Sequence, residues 1–259
     1  MSERSPAEWT RIARQHVDSL RAAGVDWIPA ADGTGSAASL FGNNFETAAV
    51  EAQQSPQGGE PIVTAPAVNL GQRRQELEVL TGRVAKCTRC HELASTRTQT
   101  VFGVGKLDAE LCFVGEAPGA DEDAQGEPFV GAAGQLLNRI IVACGMKREE
   151  VYICNIIKCR PPGNRTPLPD EAANCREYLE KQLELLRPKF ICALGACAAQ
   201  NLLDTKVSVG KLRGQFLDFR GIPVICTYHP AYLLRSPDKK KDVWEDMKKL
   251  MERMGRPVK

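Results

Sequence analysis

The sequence predicts an α/β fold of three layers, a mainly parallel β-sheet held between helices, preceded by a largely disordered N-terminal extension. Three observations predict it. Short apolar runs at Leu111–Val114, Val151–Ile156 and Phe190–Leu194 recur through residues 73–259. Longer stretches between them carry their apolar residues on one helical face. The two kinds alternate, which puts parallel strands between helical layers.

Three parts follow one another along the chain. Residues 1–28 read as an amphipathic helix with Trp9, Ile12, Ala13, Val17 and Leu20 on one face. Residues 29–72 are rich in Ala, Gly, Ser, Gln and Pro, lack periodicity and read as a flexible linker. Leu40, Phe41 and Phe45 form an apolar patch within it, either plain linker or a short docking motif. The domain spans 73–259. Its first strand, Leu111–Val114, runs into a Gly-rich loop. A helix follows over Gly134–Cys144, with Leu136, Leu137, Ile140, Ile141 and Cys144 on one side and Gly145 as its stop. After the strand at Val151–Ile156, Pro169–Leu186 reads as a helix with Tyr178, Leu179, Gln182, Leu183 and Leu186 on one face, ended by Pro188. Phe190–Leu194 is the next strand and Ala196–Leu203 the next helix. Gln215–Phe219 and Val224–Thr227 flank Arg220-Gly221 as a hairpin. A last helix, Lys240–Met254, turns Trp244, Met247, Leu250 and Met251 inward.

Length and composition narrow the class. The 259 residues suit one large domain or one domain with an extension. At 43% hydrophobic and 25% charged, the composition is that of a globular protein. No apolar run reaches the length of a membrane span, and Met1–Thr10 is polar without a signal-peptide core, so a cytoplasmic protein is expected. Ten cysteines are many for a reducing compartment, where a clustered subset points to metal or cluster ligation. Residues 73–259 hold thirty basic and twenty-four acidic side chains, a formal +6. A basic domain suits a polyanion, and a solvated surface of mixed charge accounts for it as well.

Ligands bind such sheets at the carboxyl ends of the strands. Gly115-Glu116-Ala117-Pro118-Gly119 follows the first strand, Asn155 ends the second, and His229-Pro230 follows the last. The topology alone brings these three to one rim. Cys87 and Cys90 form a C-x2-C pair able to grip a metal or cluster from a tight turn. Cys159 and Cys175, with fifteen residues between them, complete four thiolates, which fit zinc or a [4Fe–4S] cluster. His91 reads as an exposed neighbour of the turn. Cys112, Cys154, Cys192 and Cys226 lie in apolar strands and Cys144 and Cys197 on helices, where small buried hydrophobes explain them.

Gly115–Asp123 with Gly126–Gly131, Tyr152–Arg165, and His229–Arg235 resemble, in that order, the first, central and second active-site segments of family 4 uracil-DNA glycosylases. Cys87, Cys90, Cys159 and Cys175 match that family's cluster ligands in order and spacing. The resemblance covers about 75–251. It implies a structural [4Fe–4S] cluster, a four-stranded parallel sheet, and hydrolysis of the N-glycosidic bond of uracil in DNA to start base-excision repair.

On that resemblance the residues take roles. Glu116, Asn155 and His229 are the catalytic candidates. His229 donates to uracil O2 as the anion leaves. Asn155 reads the uracil edge, accepting from N3–H and donating to O4, the reverse of what cytosine offers. Glu116 positions water or stabilises the oxocarbenium-like sugar. Phe129 stacks on the flipped base, though any single Phe is as readily a core aromatic. The Ala117 amide contacts a uracil carbonyl. Glu122 and its neighbour Asp123 either line the pocket where a thymine methyl would clash or serve as first-turn acids of a helix. Arg160, Arg165 and Arg235 are phosphate candidates, and Leu233 or Leu234 is a wedge for the gap left by the base. The loop 160–170 has no histidine insertion, so turnover rather than a covalent adduct is expected. The expected partners are uracil-containing DNA and a repair protein for the extension, with no membrane, and the expected state is a monomer. Three other readings compete: a non-catalytic iron–sulfur DNA-binding scaffold, a ferredoxin-like electron carrier, and a glycosylase of broader deaminated-base specificity.

Overall fold

The computed structural model describes residues 69–258; the amphipathic stretch 1–28 and residues 29–68 of the linker lie outside the described residues. Leu70–Ala85 forms α1. Asn69 caps it: its Oδ1 accepts from the Gln72 amide at 2.9 Å, and Gln72 Oε1 accepts from the Asn69 amide at 3.1 Å. This reciprocal box satisfies two orphan donors and corrects the linker boundary. Leu70, Gly71 and Gln72 belong to a helix.

Six strands build the sheet: β1 (Val104–Gly105), β2 (Leu111–Gly115), β3 (Tyr152–Asn155), β4 (Phe190–Leu194), β5 (Phe216–Phe219) and β6 (Ile222–Thr227). Their order is β1-β3-β2-β4-β6-β5. The four inner strands are parallel, as expected. The two further strands run antiparallel at the edges, so the sheet has six strands rather than four. β5 joins through the expected hairpin, whose Arg220 and Gly221 both have positive φ (53° and 83°). That pair of left-handed residues makes a two-residue turn whose twist matches the strands.

The inner strands are buried on both faces, which explains their unbroken apolar runs. One face packs on α5 (Pro169–Leu186) and α6 (Gly195–Leu203), through Leu179, Leu183, Ala198 and Leu202 among others. The other packs on α4 (Ala132–Ala143) and α9 (Lys240–Arg253), through Leu137, Ile141, Met247 and Leu250. Each buried Leu, Ile or Met side chain here stabilises by about 1.5–3 kcal/mol. α1 lies outside α5 through Leu80, Val84, Tyr178 and Leu185. Short helices complete the chain: α2 (His91–Thr96), α3 (Ala120–Gln125), α7 (Val209–Leu212) and α8 (Pro230–Arg235). No helix among the described residues is long and apolar enough to cross a membrane.

Strand β3 lies on one side of β2 and β4 on the other. The connections after β2 and β3 therefore leave in opposite directions, and a crevice opens at the carboxyl ends of the strands.

Candidate active site

That crevice is a cleft of about 550 Å³. The three segments that the topology sends to this rim all line it, through Glu116 and Ala117 after β2, Asn155 at the end of β3, and His229 after β6. Phe129 and Arg235 line it too.

Gly115 leaves room for the floor. A Cβ there would lie 2.5 Å from Phe129 Cζ and would also collide with Asn155 Oδ1. Phe129 has φ +56°, a conformation that costs a bulky L-residue about 1–3 kcal/mol. Its neighbours hold it there. Arg148 Nη2 donates to the Pro128 carbonyl at 2.6 Å, and the Val130 and Gly131 amides donate to Glu122 Oε1 at 2.9 and 3.0 Å. Gly134 of α4 packs so close to the Phe129 carbonyl that a Cβ would collide with it. The Phe129 ring, 5% exposed, comes to 5.5 Å from the His229 ring with an interplanar angle of 32°.

Asn155 is 1% exposed, and its Oδ1 has no hydrogen-bond partner among the described residues. A buried acceptor left unpaired costs about 1–3 kcal/mol. Here it lines the cleft, where a ligand N–H can reach it. His229 caps α8: its Nδ1 accepts from the Ala231 amide at 3.1 Å. The ring proton therefore sits on Nε2. Burial, and then the positive charge of Arg235, push the imidazolium pKa down to about 4. The site thus offers a neutral N–H donor. Burial pushes the Glu116 carboxyl up, against a hydrogen bond from Thr166 that lowers it.

Glu122 also lines the cleft. Its carboxylate is occupied by three amides, Gly119 N at 3.0 Å besides those of Val130 and Gly131, which ties the two loop segments together. Asp123 accepts from the Thr98 amide at 3.0 Å. Arg165 lines the cleft, but Glu171 and Glu92 hold its guanidinium at 2.7 Å each, because α5 and α2 both present carboxylates to it. Leu233 corrects its expectation as a wedge: it is 1% exposed and packed in the core, whereas Leu234 is 44% exposed. Arg235 is exposed. Arg160 donates to Asn164 Oδ1 at 2.8 Å.

Behind the cleft, Cys87, Cys90, Cys159 and Cys175 line one small cavity. Arg97 Nη1 donates to Cys159 Sγ at 3.0 Å, and Asn174 Nδ2 to Cys90 Sγ at 3.6 Å. Burial pushes the thiols of Cys90 and Cys159 up, and that of Cys175 to about 11. Bound cations reverse that preference and favour thiolates. No group of three or more His, Cys, Asp or Glu among the described residues is arranged around a single metal ion. Cys112, Cys154, Cys192 and Cys226 are fully buried in strands, and His91 is exposed, as expected.

The sequence reading missed Thr166, Lys158 and Asp246. A lysine inside the apolar run from Tyr152 to Cys159 is a signal for the second. For the third, the signal is an aspartate on the apolar face of α9, between Val243 and Leu250. Asp246, 1% exposed, accepts from Thr227 Oγ1 at 2.6 Å and pairs with Arg213 at 3.1 Å. It thereby anchors the end of β6 from which His229 departs. Thr166 has no local signal.

A sequence model described as the uracil DNA glycosylase superfamily matches residues 102–248. A type-4 uracil-DNA glycosylase of Thermotoga maritima is 48% identical over 181 residues, 68% of this chain and 94% of the relative. The chain belongs to the uracil-DNA glycosylase superfamily. A second type-4 uracil-DNA glycosylase, of Archaeoglobus fulgidus, is 43% identical over 190 residues, 70% of this chain and 95% of the relative. A type-5 uracil-DNA glycosylase of Pyrobaculum aerophilum is 29% identical over 183 residues, 58% of this chain and 80% of the relative. Among these superfamily members the similarity is greater to the type-4 enzymes, and residues 102–248, matched by the superfamily model, include those that line the cleft.

Proposed function

We propose that this chain is a uracil-DNA glycosylase that takes a uracil flipped from DNA into the cleft, hydrolyses its N-glycosidic bond and so starts base-excision repair. One observation carries the reading: a neutral histidine N–H donor, an unpaired buried amide oxygen and an aromatic ring share one cleft at the strand ends. Phe129 stacks on the base. Asn155 Oδ1 accepts from uracil N3–H, and its amide group donates to O4. Cytosine presents an acceptor at N3 and is rejected by two acceptors left facing each other. As the C1′–N1 bond breaks, its electron pair leaves with N1 and charge spreads to O2, where His229 Nε2–H donates. A donor placed where charge develops lowers the barrier without itself losing a proton. Glu116 faces the sugar, where its carboxylate stabilises the cationic carbon and orients the water that adds to C1′. The water's second proton passes to solvent or to that carboxylate.

Leu234 is the exposed apolar side chain suited to fill the gap in the duplex, and Arg235 and Arg160 suit the flanking phosphates. Four cysteines around one cavity, with N–H donors on two sulfurs, would suit a [4Fe–4S] cluster held by Cys87, Cys90, Cys159 and Cys175. Such a cluster would contribute structurally, tying the turn after α1, the segment after β3 and α5 together. The enzyme acts as a monomer, since one chain supplies every residue that lines the cleft.

A labelled oligonucleotide with one uracil tests the reading. Wild type leaves an alkali-labile site. His229→Ala and Asn155→Ala lose about 10²-fold or more in rate, and Cys87→Ala loses iron and stability. An iron-loaded wild type that binds DNA without cleaving it would instead be a scaffold.

A further inference from the structure

We propose that Lys158 is the positioning residue that sets the base-reading edge of Asn155, an inference that rests on the reading of Asn155 given above. Lys158 is fully buried, and no carboxylate pairs with it among the described residues. Its Nζ donates to the main-chain carbonyl of Asn155 at 2.9 Å and to Gln182 Oε1 at 2.6 Å. Gln182, on α5, is itself fully buried and fixed by donating to the Phe102 carbonyl and the Tyr152 hydroxyl, both at 3.0 Å.

The place of that carbonyl in the sheet explains what Lys158 does. The peptide joining Asn155 to Ile156 sends its N–H to Gly115 O of β2 at 2.9 Å. Its carbonyl therefore points to the opposite side, toward β1. β1 pairs no further than Val104 opposite Ile153, so no strand meets the carbonyl, and Lys158 Nζ takes the place of one. With both ends of this peptide plane held, ψ of Asn155 is fixed. The backbone from which the Asn155 side chain leaves is thereby held, and Oδ1, which has no hydrogen-bond partner of its own, enters the cleft against Gly115. Lys158 also lines the cysteine cavity. The same residue thus stands between the cysteine cavity and the amide that reads the base.

The test compares two affinities: that for free uracil, which depends on the Asn155 edge, and that for DNA carrying an abasic site, which does not. Lys158→Met should weaken uracil binding about tenfold, the equivalent of one good hydrogen bond, while abasic DNA binds within about twofold of wild type. A merely structural lysine would lower both affinities together, along with the melting temperature. If Lys158→Met fails to fold, Gln182→Met carries the same expectation, because it keeps the lysine but frees its Nζ from the second anchor. Wild-type affinity for uracil in a folded variant would overturn the inference. Asn155→Ala separates the two readings: if it too binds uracil normally, the assignment of Asn155 fails, not just the role of Lys158.

Discussion

A histidine whose Nδ1 already accepts the Ala231 amide can offer a ligand only the hydrogen on Nε2. With the imidazolium pushed down to about 4, that hydrogen is present on a neutral ring throughout the neutral range. The folded chain binds this proton more weakly than the unfolded chain, whose histidine titrates near about 6.5. The stability from keeping His229 neutral is therefore complete above that pH and is lost as the pH falls from there toward 4. Glu116 is raised, so it takes up its proton above the ordinary carboxylate value of about 4.3. Single-turnover cleavage should be flat through neutral pH, with an acid limb set by Glu116 that moves down toward pH 4 in Glu116→Gln. A limb near pH 6.5 in both proteins would contradict a neutral His229. At this scale the sequence carried the residue types but not their bonds. Asn155 and His229 were legible from their strand ends. The engagement of Arg165 by Glu92 and Glu171 was not, because those three meet only after α2 and α5 pack.

Among the elements, the end of β2 does the most with the least. Gly115 has room for no side chain because the Phe129 ring and the Asn155 amide occupy the space where one would stand. Gly115→Ala should therefore fill the seat of the base while leaving the layers of the core intact. The expected result is a loss of about 10²-fold in cleavage rate, as when a well-positioned group is displaced by an ångström, with the thermal midpoint changed by only a few degrees. A variant that cut normally would show that Phe129 and Asn155 can move aside without consequence. The long elements were readable because periodicity and punctuation agree: Pro169 opens α5, Pro188 follows its end, and the face between them is buried as expected. β1 was not readable. Two residues carry no period, and only the edge of β3 gives them a partner. α2 and α7, of six and four residues, were equally silent.

At the scale of the whole molecule, a strand order that reverses about β2 gathers the site from segments more than a hundred residues apart. The alternation of elements made that convergence legible before any distance was known. The count of strands was not, since the edges depend on short local pairings. The basic excess of residues 73–259 suits a polyanion, while Arg165 of the cleft is already paired with Glu92 and Glu171.

The same inner strands give the protein a built-in clock. Each carries one wholly enclosed thiol: Cys112, Cys154 and Cys226 toward one helical layer and Cys192 toward the other. An alkylating reagent reaches them only when the sheet comes apart, so the speed of their modification counts global openings rather than local breathing. The half-buried Cys87, Cys90, Cys175 and Cys197 should react first. The four strand thiols should follow together at a single slower rate, measured by mass spectrometry of the intact chain. Separate rates for Cys192 and the other three would mean that the two helical layers leave the sheet one at a time.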